Sequence, residues 1–286
     1  MNGRAAIGDG STGAPGRPLM RRLGVVVACA MATAAATACA GAALPPNGQA
    51  AETRRALFRE LRPVTLANCT LRRYGVLHDG GYLMCGNLMT DARSAYSYGI
   101  DGRDDWGCDV AEQLRTTVHE YDCFNLARPA CPRGSLMFHE ECVGGATETI
   151  DGRPYDTLAA QVERNGDAGR RLIVKIDVEG AEWTSLRTAP DDLLDRIDQL
   201  AIEFHGTDDP AFVDTVKRLK RHFYVAHFHA NNNACDKQLA PFTSAANEVL
   251  FVNRRIATMA SDAAPRMPNP LDSPNRTPQH DCQPRF

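Results

Sequence analysis

The stretch RLIVKIDVEGAEW, residues 171–183, is the part of the sequence that decides the fold. Its apolar run has the length of a strand and ends in two carboxylates, a glycine and residues that favour a helix. This order predicts a strand, a tight turn and a helix. Because side chains alternate along a strand, Asp177 and Glu179 share one face and emerge together at the carboxyl end. Ligands bind at that edge of open α/β sheets.

Two interpretations of this acidic pair remain open on the stretch alone. In one, Asp177 caps the helix and Glu179 only forms an ion pair with a surface Lys or Arg. In the other, the pair contacts a ligand, because loops at this edge vary freely while the sheet stays fixed. Gly180 permits the turn, and Glu182 would lie in the first helical turn, where the helix dipole favours negative charge.

Strand and helix patterns alternate along the rest of the chain. Strands are predicted at 94–100, 116–121, 136–142, 199–205, 224–230 and 248–253, and helices at 51–61, 109–115, 155–164 and 211–223. Such alternation predicts an α/β fold with a mostly parallel sheet and helices on both faces. The predicted organisation is a linker with a short helix (45–70), the main domain (71–256), and a proline-rich disordered tail (257–286) tethered through Cys282.

The N-terminal region predicts delivery across a membrane. Residues 1–22 end in Arg21 and Arg22, and residues 23–44 carry no charge. About 20 apolar residues suffice to span a bilayer, and small residues near the end of the segment fit a signal-peptidase site. Segment 23–44 is therefore either a cleaved signal peptide or a signal anchor, with the arginines on the cytoplasmic side. We expect a membrane-anchored or secreted protein of the secretory pathway.

Composition disfavours a nucleic-acid partner and agrees with the secretory pathway. The net charge of −3 leaves no basic footprint for nucleic acid. Eight cysteines follow the apolar segment without a CxxC pair, which favours a disulfide framework over a zinc site, although the pairing cannot be deduced. The triplets NCT at 68–70 and NRT at 275–277 are compatible with glycosylation. The oligomeric state is left open.

Two further strand ends carry residues suited to a cofactor. The first ends in Gly99, Asp101 and Gly102, where missing Cβ atoms let a ligand approach the backbone. The three-glycine spacing of a dinucleotide fingerprint is absent. The second ends in Asp122, about twenty residues later, where an acid either accepts hydrogen bonds from ribose hydroxyls or caps a turn.

Histidines lie at the ends of two later predicted strands, 199–205 and 224–230. Glu203 and His205 share a face of one strand, and His229 and Asn231 share a face of the next. With Asp177 and Glu179 of the opening stretch, His205, His229 and Asn231 predict either a general acid–base group or a divalent-metal site.

Taken together, and in their order along the chain, the motifs of this sequence resemble those of class I S-adenosylmethionine-dependent methyltransferases related to the FkbM type. That family includes membrane-anchored secretory-pathway members. The resemblance covers residues 74–255 and rests on DGGY at 79–82, SYGIDGRDDWG at 97–107, HEYDCF at 119–124, KIDVEGAEW at 175–183, IEFH at 202–205, HANN at 229–232 and EVLFVN at 248–253. KIDVEGAEW is the most specific motif. The resemblance implies a seven-stranded Rossmann-like sheet with the last strand antiparallel. The chain departs from the usual pattern because it has no GxGxG after the first strand.

The resemblance implies S-adenosylmethionine as cofactor. Its methionine part would lie at the turn 99–102, its ribose at Asp122, and its methyl group beside Asp177 and Glu179. The cofactor-binding residues implied in this way are Gly99, Asp101, Gly102, Asp122 and Asp177.

The resemblance also implies roles at the reacting end. Asp177, Glu179 and His205 are the implied catalytic residues, with Asp177 and His205 deprotonating or positioning the acceptor. The acceptor, a small molecule or a glycan methylated on oxygen, would contact His229, Asn231 and Asn232. No resident metal is expected.

Two other function classes remain as alternatives. One is a metal-dependent hydrolase or transferase that uses Asp177, Glu179, His205 and His229. The other is a non-catalytic binding module that keeps the sheet and its disulfides.

Overall fold

The computed structural model describes residues 46–286. The predicted N-terminal segments 1–22 and 23–44 lie outside the described residues. Within residues 46–286, no helix combines the length and apolar character needed to cross a bilayer.

The helices and strands of this part of the chain follow each other in mixed order. The helices are α1 (Pro46–Glu60), α2 (Asp105–Leu114), α3 (Leu158–Arg164), α4 (Ala181–Thr188), α5 (Asp191–Arg196) and α6 (Pro210–His222). The strands are β1 (Thr65–Leu66), β2 (Leu71–Tyr74), β3 (Tyr82–Cys85), β4 (Ser94–Tyr98), β5 (Thr117–Tyr121), β6 (Ser135–His139), β7 (Cys142–Gly144), β8 (Glu148–Ile150), β9 (Arg153–Thr157), β10 (Leu172–Ile176), β11 (Ile197–His205), β12 (Phe223–Ala230), β13 (Ala246–Asn253) and β14 (Met259–Ser261).

Seven strands form the main sheet, in the order β12-β13-β11-β10-β4-β5-β6. Four of its six pairings are parallel, from β11 through β10, β4 and β5 to β6. Strand β13 runs antiparallel to both of its neighbours, β11 and β12. The prediction of an α/β fold is confirmed, and the sheet is mixed. All strands except β13 therefore present their carboxyl ends at the same edge.

Strand β10, the strand of the opening motif, lies at the centre of this sheet. Leu172, Val174 and Ile176 pack on one face in a core that includes α1 and α3 to α6. Ile173 packs on the other face with α2 and the β2–β3 hairpin. Lys175 lies on that second face and is 4% exposed. Because apolar side chains cover both faces, the strand reads as a nearly continuous hydrophobic run.

The region predicted as a helix at 155–164 begins as a strand. Strand β9 pairs with β7 on one side and β8 on the other. The helix starts only after Thr157, whose hydroxyl accepts a hydrogen bond from the Ala160 N–H at 3.2 Å and so caps α3. The small sheet is built from pairings with residues before 155, which the local pattern of 155–164 does not reveal.

Helix α1 belongs to the packed domain rather than to a linker. Leu57, Phe58 and Leu61, spaced three and four residues apart on one side of the chain, are buried in the core. Lys220 of α6 donates to Glu60 at 2.8 Å. The domain therefore begins earlier in the chain than the sequence predicted.

The tail, residues 257–286, is packed against the domain, in contrast to the predicted disorder. Strand β14 pairs with β1, and Gln283 exchanges two hydrogen bonds with the backbone of β12, both at 3.0 Å. The Phe286 ring stacks on Phe58 with centroids 4.2 Å apart. The tether through Cys282 is confirmed. A segment held by side-chain hydrogen bonds and a disulfide needs no apolar periodicity of its own, so the sequence pattern missed it.

Eight cysteines of the described part of the chain form four disulfides. The pairs are Cys69–Cys85, Cys108–Cys131, Cys123–Cys142 and Cys235–Cys282. The predicted disulfide framework is confirmed, and the pairing that the sequence left open is now defined. Such a framework indicates an oxidising environment, secretory or extracellular.

Candidate functional site

The carboxyl ends of β4, β5 and β10 enclose a pocket of about 440 Å³ at one edge of the sheet. It brings together five predicted site residues, namely Gly99, Asp101, Asp122, Asp177 and Glu179. The Cys123–Cys142 disulfide forms part of its wall. The other predicted residues, Gly102, His205, His229, Asn231 and Asn232, do not line it.

The charged residues that line the pocket are all acidic. Five of its lining residues are acidic, namely Asp79, Asp101, Asp122, Asp177 and Glu179, and none is a lysine or arginine. Carboxylates that line a cleft attract cations and repel phosphate groups. The pocket therefore suits a ligand that carries positive charge.

The turn after β4 is shaped by contacts within the chain. Gly99 has a φ of +73°, and a Cβ added there would lie 1.6 Å from the carbonyl oxygen of Asp177. At Gly102, with φ +77°, an added Cβ would lie 2.9 Å from Asn125 Nδ2. The backbone contact excludes any side chain at Gly99, and the positive φ favours glycine at both positions. The sequence pattern could not distinguish this close approach of the chain from the close approach of a cofactor.

The carboxylate of Asp122 is fully engaged by backbone groups. Its Oδ2 accepts from the N–H of Ile100 at 3.2 Å and of Asp101 at 3.0 Å. Its Oδ1 accepts from Phe124 at 2.8 Å and Asn125 at 3.0 Å. Four donors match the four lone-pair sites of a carboxylate. Asp122 therefore joins the turn after β4 to the loop after β5, as in the turn-cap alternative.

Asp177 is oriented by Lys175 of β10 and by Tyr82 of β3, which packs on the second face of the main sheet. Its Oδ2 accepts a hydrogen bond from the Tyr82 hydroxyl at 2.8 Å and lies 3.6 Å from Lys175 Nζ. Lys175 also donates to the carbonyl oxygens of Tyr98, at 3.3 Å, and Gly99. Tyr82, in the DGGY motif, was not among the predicted site residues. These contacts fix one edge of the carboxylate at the pocket wall.

His205 lies among three carboxylates. Its Nδ1 is 3.3 Å from Glu182 Oε1, and its Nε2 is 3.4 Å from both Glu179 Oε2 and Glu203 Oε1. Burial opposes the charged form, but hydrogen bonds with Glu182 and Glu203 outweigh it and raise the pKa of His205 to about 11. A charged imidazolium donates hydrogen bonds and cannot accept a proton. The geometry therefore disfavours the predicted role in deprotonation and leaves that of positioning.

Glu203 is a site residue to which the sequence assigned no role of its own. It is 5% exposed, and Asn231 Nδ2 donates to its two oxygens at 3.0 and 3.2 Å. Burial and the charge of Asp177 raise its pKa to about 8. The signal that could have found it is its alternation with His205 along β11. Ligand atoms of Asp177, Glu203 and His205 lie within 4.8 Å of one another.

The three residues predicted to bind the acceptor are buried and bonded within the protein. His229 is 3% exposed, its Nδ1 lies at hydrogen-bond distance, 3.2 Å, from Glu248 Oε2, and its Nε2 lies 3.8 Å from Asp281 of the tail. Asn232 is 2% exposed and donates to the carbonyl oxygen of Arg276 at 2.8 Å. Asn231 is 4% exposed and bonded to β11 as described. The structure places these side chains between the sheet and its tail, away from an open acceptor surface.

The four predicted metal ligands of the hydrolase alternative do not converge as a set. Among the described residues, the group that contains Asp177 and His205 is completed by Glu203, and no candidate group includes His229. A polar residue at a strand end has the same sequence signature whether its partner is a ligand or another segment of the chain.

Comparison with protein-family models gives no match for this chain. Comparison with curated proteins gives no match either. The motifs and the geometry of the sheet edge are therefore the evidence for function.

Proposed function

We propose that this protein is a class I S-adenosylmethionine-dependent methyltransferase of the FkbM-related kind, acting on oxygen of a small molecule or glycan in the secretory pathway or at the cell surface. The observation that carries the proposal is the pocket of about 440 Å³ with five carboxylates and no lysine or arginine in its lining. S-adenosylmethionine carries a sulfonium and an ammonium against one carboxylate, so its net charge is positive. Phosphate-bearing cofactors would be repelled.

The sheet supports the same proposal. The resemblance implies a seven-stranded Rossmann-like sheet whose last strand is antiparallel. Strand β13 is the last strand of the main sheet in chain order, and it lies antiparallel between β11 and β12. The pocket lies at the carboxyl ends of the parallel strands, where ligands bind in such folds.

The residues that line the pocket fit S-adenosylmethionine, with one change: the ribose hydroxyls are assigned to Asp101 instead of Asp122. The volume lies in the range of about 300–1,000 Å³ that is typical of ligand sites. Phe124 lines the pocket and is 70% exposed; the Arg153 guanidinium lies 4.3 Å over one face of its ring, and the other face is the one that would stack on adenine. Because Asp122 is occupied by backbone N–H groups, the neighbouring carboxylate of Asp101 is the better partner for the ribose hydroxyls. Asp122 then holds the turn that carries Asp101.

Methyl transfer is assigned to Asp177, His205 and Glu179, whose side chains the fold orients. S-adenosylmethionine, when bound, supplies an electrophilic methyl group on sulfur. Asp177, fixed by Tyr82 and Lys175, accepts the proton of the acceptor hydroxyl. His205, as imidazolium, lies with its Nε2 beside Glu179 and acts through that carboxylate, which lines the pocket and positions the acceptor.

The test is calorimetric titration of the full chain with S-adenosylmethionine and S-adenosylhomocysteine. We expect binding by the native protein and at least tenfold weaker binding by Asp101→Asn. The matched control is Asp262→Asn, which removes the same charge at an exposed position in the tail and leaves affinity unchanged. Absence of binding by the native protein would contradict the proposal and favour the non-catalytic binding module.

Asp177→Asn separates binding from chemistry. We expect it to bind S-adenosylhomocysteine within a few-fold of the native affinity, because the shape of the carboxamide matches that of the carboxylate. Methyl transfer from labelled S-adenosylmethionine to secretory-pathway extracts should fall by about 10²–10⁴. Equal transfer by the variant and the native chain would remove Asp177 from the reaction.

A metal-dependent hydrolase or transferase is the second candidate, favoured by the convergence of Asp177, Glu203 and His205. A metal at His205 Nε2 must displace a proton from an imidazole whose pKa is about 11. This competition weakens metal binding at neutral pH. Elemental analysis that finds no metal, with activity indifferent to chelators, would exclude this candidate.

A further inference from the structure

The loop between β2 and β3, residues 75–81, contributes to the pocket without helix or strand structure of its own. Asp79 of this loop lines the pocket. Directly after the loop, Tyr82 donates the hydrogen bond that orients Asp177. A segment without regular structure keeps its position through contacts with other segments. The position of this loop therefore decides where Asp79 and Tyr82 lie.

Asn275 of the C-terminal tail joins this loop to the main sheet. Its carbonyl oxygen accepts from the N–H of Asp79 at 3.2 Å, and its Nδ2 donates to Asp79 Oδ1, also at 3.2 Å. The same Nδ2 donates to Glu248 Oε1 of β13 at 2.6 Å. Asn275 is 5% exposed, so little water competes for these bonds. Asp79 is therefore held at both its backbone and its carboxylate.

Two further contacts between the tail and the loop lie on either side of this one. His78 Nδ1 is 2.9 Å from the carbonyl oxygen of Pro274. Arg73 of β2 joins both segments, because its Nη1 donates to the carbonyl oxygen of Gly81 at 2.8 Å and its Nη2 to that of Leu271 at 2.7 Å. The tail therefore contacts the loop along its length.

The tail is itself fixed to the sheet on both sides of Asn275. Before it, Asp272 Oδ1 lies 2.9 Å from His227 Nε2 of β12. After it, the backbone of Arg276 exchanges two hydrogen bonds with the side chain of Asn232, both at 2.8 Å. Residues 271–276 thus form a bridge from the strands of the sheet to the loop at the pocket.

We propose that residues 271–276 are a strap that positions the loop 75–81 at the pocket, with Asn275 as the positioning residue. Without the strap, the loop withdraws Asp79 from the pocket wall and leaves Tyr82 less firmly placed beside Asp177. Release of the tail therefore weakens ligand binding. The part of the proposal that concerns the ligand rests on the proposed function, whereas the position of the loop can be measured without a ligand.

The test is hydrogen exchange, followed by mass spectrometry, on the full chain and on Asn275→Ala. Because the variant loses hydrogen bonds to two carboxylates, we expect the amides of residues 76–82 to exchange about tenfold faster. Strand β10 is the internal reference, and its exchange should change much less. The matched control is Asn233→Ala, at an exposed position just after β12, which should exchange like the native chain.

Calorimetric titration of the same proteins with S-adenosylhomocysteine tests the effect on the pocket. Apparent affinity falls with the fraction of molecules whose loop is in place, so we expect about three- to tenfold weaker binding by Asn275→Ala. Asn233→Ala should bind like the native chain. By linkage, the bound ligand should slow exchange in the strap of the native chain. Absence of binding by the native chain would contradict the proposed function, and hydrogen exchange would still decide whether the strap holds the loop.

Three outcomes would overturn the proposal. The first is native exchange of residues 76–82 in Asn275→Ala. The second is an equal acceleration in this loop and in β10, because Asn275 would then serve general stability. The third is native affinity for S-adenosylhomocysteine despite faster exchange of the loop. If Asn275→Ala does not fold, His78→Ala replaces it with the same expectation, since this exposed side chain contacts the strap at Pro274 and its loss leaves the core intact.

Discussion

At the scale of single residues, each carboxylate of the sheet edge is distinguished by the partners that it already has. Asp122 is saturated by backbone N–H groups, and the fully buried Glu182 accepts from the backbone N–H of His205 at 2.7 Å and of Gly180 at 2.8 Å. Asp177 has one fixed edge and lines the pocket. Among these three acids, Asp177 is therefore the one with capacity for a ligand in the pocket.

The charged state of His205 makes a prediction about pH. Its pKa rises from 6.5 to about 11 on folding, so its stabilising effect is complete below pH 6.5 and is lost as the pH rises toward 11. We expect the free energy of unfolding in urea to fall between pH 7 and pH 10. His205→Gln should show a shallower fall. Identical slopes for the two proteins would mean that His205 is neutral in the folded state.

Asn275 makes a second prediction at this scale, on glycosylation. Its side chain is 5% exposed and its Nδ2 donates to two carboxylates, so a glycan on that nitrogen would replace one of the two hydrogens, break one of these bonds and need space that the burial does not leave. Asn68 is also engaged, because its Nδ2 donates to the Ile256 carbonyl oxygen at 2.9 Å. In protein secreted from eukaryotic cells, we expect mass spectrometry to find both sites unmodified. A glycan at Asn275 would show that the tail is detached when the chain is modified.

At the scale of elements, the sequence was informative where the pattern is local. The apolar run that includes Leu172, Ile173 and Val174 predicted a strand, and β10 is that strand, buried on both faces. The division of 153–164 into strand and helix was missed because β9 depends on partners elsewhere in the chain. The burial of Lys175 was also unpredicted, since the carbonyl oxygens that accept its hydrogen bonds belong to the end of β4.

The turn after β4 gives a prediction with a matched control. In Gly99→Ala, the new Cβ would meet the Asp177 carbonyl oxygen at 1.6 Å, and φ is +73°. We expect a loss of about 3–5 kcal/mol in urea unfolding, from overpacking added to a strained φ. Gly152→Ala has a similar φ of +77° but no atom within 4 Å, so it should cost only about 1–2 kcal/mol. Equal costs would mean that the backbone around Asp177 yields without penalty.

At the scale of the whole molecule, the sequence predicted the order of the sheet motifs better than the contacts between distant segments. The sequence predicted that Asp101, Asp122 and Asp177 lie at one edge of the sheet, and they line one pocket. The resemblance assigned His229 and Asn232 to an acceptor, and the tail that covers them has no pattern of its own that would have revealed the contact. Such contacts depend on where a chain end returns in space, and local periodicity carries no information about that.

The tail therefore provides the last prediction, on the Cys235–Cys282 disulfide. This bond closes a loop of 47 residues, for which loop entropy predicts a stabilisation of about 4 kcal/mol. Replacing both cysteines by serine should lower the unfolding free energy by up to that amount and expose residues 257–286 to limited proteolysis. The control is the same change at Cys69 and Cys85, a 16-residue loop worth about 3 kcal/mol, which should leave the tail protected. If the tail resists protease without Cys235–Cys282, its hydrogen bonds and the Phe286 contact suffice to hold it.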